Sequence, residues 1–243
     1  WRGSNCASII QTISMAPFVL EELHVLDQTS EKATAALIFL HGASQTGQVL
    51  LNNFKKYLGA EGHPYIKCYF PTAPERYLTI RDMRQRYWFD AVRTGIEPDE
   101  VSCCMKDADD VTDLLEKLIC EIEESGIPRK RIIIGGTSQG GMVSIYAAYS
   151  RGIQVGGVFG IAASFPFFRQ CTLISGSSTP MLSIYGQKDS FIMPSVMDKV
   201  WRLFRSKKIP LTVKSLPNLG HDMDIEYTRL LFEWLEKKYP EDD

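Results

Sequence analysis

Arg131-Ile132-Ile133-Ile134-Gly135-Gly136-Thr137-Ser138-Gln139-Gly140-Gly141-Met142-Val143-Ser144-Ile145-Tyr146-Ala147-Ala148-Tyr149 runs from three consecutive isoleucines through a cluster of glycines into an apolar segment. The isoleucines predict a buried β-strand, and residues 142–149, small and apolar, predict a helix. Between them, Gly136-Thr137-Ser138-Gln139-Gly140 matches G-x-S-x-G, the strand-turn-helix of a nucleophile elbow. A chain of this length meets the five-residue pattern by accident roughly one time in ten, so its surroundings have to decide. The glycines fit, because so tight a turn leaves no room for side chains beside a nucleophile whose own backbone is strained. The structural alternative is a glycine-rich turn with a capping serine.

Working outward, apolar runs at residues 35–40, 66–70, 131–135, 156–161, 181–185 and 211–216 read as buried parallel strands. Segments of helical spacing separate them. In residues 107–124, Val111, Leu114, Leu115, Leu118, Ile119 and Ile122 form one stripe, and Gly126 and Pro128 stop the helix. Near the C-terminus Tyr227, Leu230, Leu231, Trp234 and Leu235 repeat the pattern. Alternating strands and helices predict a mostly parallel central sheet with helices on both faces, and ligands in such folds bind at the carboxyl ends of the strands. Residues 71–106 read as one long irregular stretch of the kind that carries function. A single domain is expected over residues 16–243, with 1–15 as a flexible or foreign extension and Met15 as the natural start.

The formal charge is −2 with both signs interspersed, which argues against a nucleic-acid partner. Six cysteines lie at scattered positions without a C-x-x-C pair and read as reduced thiols of a cytoplasmic protein. No apolar run reaches the ~18 residues of a membrane span. Gln11, Thr12 and Ser14 interrupt what would otherwise be the apolar part of a signal peptide.

A serine hydroxyl attacks at neutral pH only with a base to take its proton, and that base needs an orienting carboxylate. Of four histidines only His221 follows Ser138, in a loop after the strand at 211–216. This matches the chain order Ser, Asp or Glu, His of a hydrolase elbow. His41 precedes the serine and reads as structural; His24 and His63 read as surface or packing residues. Asp189 follows the strand at 181–185 and is the expected carboxylate; Asp198 falls in a predicted helix, while Asp222 and Asp224 stand too near His221. The oxyanion donors are assigned to the N–H groups of Gln139, after the nucleophile, and Ala43, in the loop Leu40-His41-Gly42-Ala43-Ser44.

Too few residues lie between the elbow helix and Asp189 for a separate cap domain, so the site should be open. Its apolar lining is expected from Leu78, Ile80, Met83, Tyr87, Trp88 and Phe89, joined by Phe165, Pro166 and Phe167. Leu78, Trp88, Phe89 and Phe165 are the principal candidates to bind substrate, although aromatic residues here could equally fill the core. Each buried CH₂ of an acyl chain would contribute about 0.8 kcal/mol.

From Ala35 to Leu235 the chain resembles the acyl-protein thioesterase, lysophospholipase and carboxylesterase family of small α/β-hydrolases. The resemblance is carried by Phe39-Leu40-His41-Gly42, Pro71-Thr72-Ala73-Pro74, Trp88-Phe89-Asp90, the elbow, Asp189 and Gly220-His221. It implies cleavage of acyl thioesters or esters, including removal of palmitate from protein cysteines, without a cofactor or metal. Acylated proteins or lipid and ester molecules are the implied partners, with a weak homodimer and at most transient membrane-surface contact. Such proteins can themselves be S-acylated near the N-terminus; Cys6 is a conceivable site, and an unmodified tail residue is the favoured alternative. Two departures stand out: Gly42-Ala43-Ser44-Gln45 replaces Gly-x-Gly-Asp, and Tyr185-Gly186-Gln187-Lys188-Asp189 replaces His-Gly-Asp-x-Asp. A carboxylesterase or lysophospholipase, and a non-catalytic acyl-binding protein, remain the alternatives.

Overall fold

A computed structural model describes residues 18–95, 100–221 and 223–241. The expected N-terminal extension, with Met15 and Cys6, and Asp222 lie outside them. In chain order the elements are β1 (Glu22–Leu26), β2 (Ala35–Leu40), α1 (Gly47–Leu58), β3 (Ile66–Thr72), β4 (Glu75–Leu78), β5 (Met83–Arg86), β6 (Ala91–Arg93), β7 (Val101–Cys103), α2 (Met105–Glu124), β8 (Ile132–Thr137), α3 (Gln139–Tyr149), β9 (Gly157–Ile161), β10 (Met181–Gly186), α4 (Pro194–Ser206), β11 (Leu211–Leu216) and α5 (Ile225–Lys238).

Seven strands form one sheet in the order β1-β3-β2-β8-β9-β10-β11, parallel except for β1, which runs antiparallel to β3 at the edge. The six expected strands are all present. The edge strand β1 was not expected, because Glu-Leu-His-Val-Leu is mostly solvent-facing and carries no continuous apolar run. The central strands are buried throughout and send alternate side chains to opposite faces. Ala35, Leu37 and Phe39 join Leu50 and Phe54 of α1 and Leu231 and Leu235 of α5; Ala36, Ile38 and Leu40 join Val111 and Ile119 of α2, Val143 and Tyr146 of α3, and Phe204 of α4. Two cores therefore sandwich the sheet, the arrangement expected of an α/β-hydrolase.

The stretch at 71–106 is not irregular. It holds two ribbons, β4 with β5 and β6 with β7, whose strands of three or four residues are too short to show hydrophobic alternation. Between α3 and Asp189 the chain makes only β9, a short 3₁₀ turn and β10, so no cap of helices covers the strand ends. None of the described helices is long and apolar enough to cross a membrane.

The centre of this fold is the junction of β8 and α3. Every residue of α3 is buried, and Gly140, Gly141, Ser144, Ala147 and Ala148 leave room for its close packing. Ser138 is forced to φ 48°, ψ −121°, a conformation that L-residues rarely adopt. The turn closes only because a carbonyl from β2 comes right up to it. A Cβ on Gly136 would stand 2.1 Å from the Leu40 oxygen, and one on Gly140 would stand 2.2 Å from the same oxygen and 2.7 Å from that of His41. These neighbours are backbone atoms in a packed sheet and cannot step aside cheaply. Gly140→Ala is therefore expected to destabilise the protein by about 3 kcal/mol, the upper end for overpacking. Urea denaturation checks this, and an unchanged midpoint would contradict it.

Candidate active site

β8, β10 and β11 each end at the same edge of the sheet, and the turns after them deliver three side chains to one point. Ser138 tops the elbow. Asp189 lies in the turn after β10, held by Gln187 N–H donating to Leu216 O at 3.0 Å and Lys188 N–H to Leu219 O at 2.9 Å. These backbone ties place the aspartate although Gln187 stands in the motif where an acid is usual. His221 follows β11, its loop anchored by the Tyr227 hydroxyl donating to Gly220 O at 2.8 Å.

The three side chains make a continuous chain of hydrogen bonds. His221 Nδ1 is 2.8 Å from Asp189 Oδ2, and His221 Nε2 is 3.2 Å from Ser138 Oγ. An ionised carboxylate can only accept, so Nδ1 carries the proton and Nε2 presents its lone pair to the serine hydroxyl. Asp189 Oδ1 accepts from the N–H groups of Phe191 and Ile192, both at 2.8 Å, which fixes the carboxylate plane. Burial pushes the Asp189 carboxyl up, but the hydrogen bonds from His221, Ile192 and Phe191 outweigh it and hold the group below its ordinary range. The aspartate stays ionised, which suits it to stabilise an imidazolium.

The residues expected to carry the oxyanion donors, Gln139 and Ala43, both line the cavity that Ser138 lines. Gln139 N–H belongs to the first turn of α3 and has no acceptor within the helix. In the loop after β2, Gly42 N–H donates to Gln45 Oε1, Ser44 N–H to Arg86 O and Gln45 N–H to Gly42 O. None of these ties uses the Ala43 N–H, and Ala43 lines the cavity beside Ser138 and Gln139. The unusual loop sequence is thereby accounted for: Gln45 supplies the acceptor, and Ser44 takes the left-handed conformation, φ 67°, where glycine is usual.

His41 is wholly buried and structural, as its position before the serine suggested. Its Nδ1 donates to Gly42 O at 2.7 Å and its Nε2 accepts from Ala73 N–H at 3.0 Å. Thr72 Oγ1, next to Ala73, accepts from Gly47 N–H at the start of α1. Gln139 reaches across as well, its Oε1 accepting from Trp88 N–H at 3.2 Å and its Nε2 donating to Phe89 O at 3.1 Å.

A cavity of about 510 Å³ opens beside Ser138 and His221. Leu78, Phe89 and Phe165 line it as expected, with Ile80 and Pro166. Trp88 does not. Its ring packs between Phe18 and His41, and its Nε1–H donates to His41 O at 2.7 Å, so it braces the loop that carries Ala43. Met83 is exposed, while Tyr87 and Phe167 are buried away from the cavity. The wall missed in the sequence comes from Val196, Val200 and Leu203 on α4, with Ile192, Phe191, Met142 and Phe168. The i, i+4, i+7 spacing of 196, 200 and 203 on a helix just after Asp189 was the available signal.

Residues 22–238 match the family described as Phospholipase/Carboxylesterase. Lysophospholipase-like protein 1 from Mus musculus is 28% identical over 216 residues, 85% of this chain and 88% of that protein. Acyl-protein thioesterase 1 homolog 1 from Dictyostelium discoideum is 25% identical over 235 residues, 96% of this chain and all of the other. Among solved structures, acyl-protein thioesterase 2 from Zea mays superposes with a TM-score of 0.71 at 19% identity, covering 89% of this chain and 98% of that one.

The buried His41 predicts an acid sensitivity. Burial is the main cause that pushes its pKa down to about 4. As pH falls from about 6.5 towards 4 the unfolded chain takes up a proton that the native state refuses, so stability falls by roughly 3 kcal/mol and then levels off. His41→Gln should flatten that slope in urea titrations between pH 7 and 4. Parallel pH profiles for the two proteins would contradict the assignment.

Proposed function

The chain belongs to the phospholipase/carboxylesterase family of serine hydrolases, and from that membership we propose that it cleaves acyl thioesters and esters, with S-acylated protein cysteines as the substrate. The observation that carries this reading is the unbroken hydrogen-bond chain Asp189, His221, Ser138, whose serine and histidine line a cavity with largely apolar walls.

Ser138 Oγ attacks the acyl carbonyl carbon while His221 Nε2 takes the hydroxyl proton, and Asp189 holds the resulting imidazolium. Negative charge gathers on the carbonyl oxygen, where the N–H groups of Gln139 and Ala43 and the positive end of α3 receive it. Collapse breaks the C–S or C–O bond, and the departing sulfur or oxygen leaves with the proton from Nε2. Water then attacks the acyl-serine with His221 again as base, releasing the fatty acid and restoring Ser138. The acyl chain lies along Leu78, Phe89, Phe165 and the α4 wall. With no helical cap over the opening, a thioester borne on a whole protein can reach the serine.

A second reading, a carboxylesterase or lysophospholipase acting on small esters or lysolipids, has support in the mixed names of the relatives. A purely acyl-binding role has less, since a binder gains nothing from aligning three groups for proton transfer.

Hydrolysis of a palmitoyl-cysteine peptide and its oxygen-ester analogue tests the proposal. The wild type should cleave the thioester, Asp189→Asn should lose on the order of 10³–10⁴-fold in kcat, and Ser138→Ala should lose on the order of 10⁶-fold. Circular dichroism should report an unchanged fold in both variants. Cleavage that survives Ser138→Ala would overturn the assignment, and cleavage of the oxygen ester alone would favour the second reading.

A further inference from the structure

The opening of the cavity carries a one-sided charge. Arg81, Arg93, Arg169 and Lys199 line it, and no aspartate or glutamate does among the described residues. The chain as a whole has 29 acidic and 27 basic residues, so composition does not supply this bias. The four come from separate elements: Arg81 from the 3₁₀ turn Thr79–Arg81, Arg93 from β6, Arg169 from the 3₁₀ turn Pro166–Arg169 and Lys199 from α4. Arg169 sits 3.8 Å from Glu100. Arg81 makes no ion pair among the described residues; its guanidinium lies over the exposed ring of Phe191, 5.2 Å from the ring centre. Phe191 in turn packs against His221, with ring centres 5.2 Å apart.

This arrangement puts an unneutralised cation one ring away from the imidazole. In the acyl transfer described above, the atom that departs must lie within reach of His221 Nε2, because it leaves with the proton held there. Groups packed against His221 therefore adjoin the leaving portion of the substrate, while the apolar depth of the cavity takes the acyl chain. Arginine presented on an aromatic face keeps its donors directed outward, ready for a carboxylate. Four cations on four elements around one opening suit carboxylates spread along a peptide better than a single phosphate.

We propose that Arg81, with the other cations of this rim, selects S-acylated cysteines flanked by acidic residues. The inference rests on the hydrolase reading above and adds the substrate's leaving side to it. Arg81 is a specificity-determining residue on this account, and Phe191 positions it.

The test uses two matched pairs with one short acyl chain: S-octanoyl-cysteine peptides with Asp or Asn on both sides of the cysteine, and octanoyl-glycerol with or without a phosphate. The ratio of kcat/KM within each pair is measured at low and high salt. The wild type should prefer the Asp peptide by about 5- to 20-fold at low ionic strength, shrinking towards parity near 1 M salt. Arg81→Gln should cut that ratio at least threefold and Arg81→Lys should restore most of it, an effect that a merely structural role for this exposed residue would not produce. Equal cleavage of both peptides by the wild type, or a ratio untouched by Arg81→Gln, overturns the inference and leaves the hydrolase reading standing. A preference confined to the phosphate-bearing lipid overturns the peptide assignment. Cleavage of none of the four overturns both the inference and the hydrolase reading on which it rests.

Discussion

The structure depends on one close approach, that of the Leu40 carbonyl to the turn between β8 and α3. It fills the space where side chains at positions 136 and 140 would otherwise stand, and it fixes the distance between the ends of two neighbouring strands. The loop after β2 carries one candidate oxyanion donor, Ala43, and the turn after β8 carries the serine and the other donor, Gln139. Nucleophile and candidate donors therefore flank the same backbone contact. The strained conformation of Ser138 costs about 1–3 kcal/mol, which the surrounding burial of β8 and α3 offsets. Rigidity of this kind matters for acyl transfer, because the oxyanion must find its donors already in place.

Around that contact the chain ties itself together with polar groups that take no part in proton transfer. His41 links the β2 loop to Ala73, Trp88 closes over His41, and Gln139 clasps the backbone of Trp88 and Phe89. Asp90, two residues beyond Trp88, accepts from Thr79 N–H at 2.8 Å and its hydroxyl at 2.6 Å, which fastens the turn that presents Arg81. Three of the motifs that carried the family resemblance, those around His41, Ala73 and Trp88-Phe89-Asp90, are thus braces. They hold the loop that supplies Ala43 on one side and the cavity wall on the other.

Much of this was legible in the sequence, for identifiable reasons. A parallel strand buried on both faces is a continuous apolar run, so β2, β8 and β10 announced themselves, whereas the half-exposed β1 and the short ribbons of 75–103 did not. The order Ser138, Asp189, His221 was readable because each residue follows a strand, and strand ends are where the sheet gathers side chains. The cavity wall was less readable. An aromatic residue beside a pocket and one in the core obey the same chemistry, so Phe89 and Trp88, adjacent in the chain, could not be told apart. What separates them is the indole N–H, which found the His41 carbonyl on the underside of the loop. The contribution of α4 and the charge of the rim depend on how distant segments meet, and no local pattern encodes that.

The central claim is that the strained serine at this turn carries the acyl group. Rapid quenching of the enzyme during its first turnover with a chromogenic ester, followed by peptide mapping by mass spectrometry, reads this directly. The account predicts one acyl group per chain, on Ser138, formed within the burst of released chromophore and lost as free acid accumulates. An acyl group on any other side chain, or steady turnover with none trapped and no burst, would contradict it.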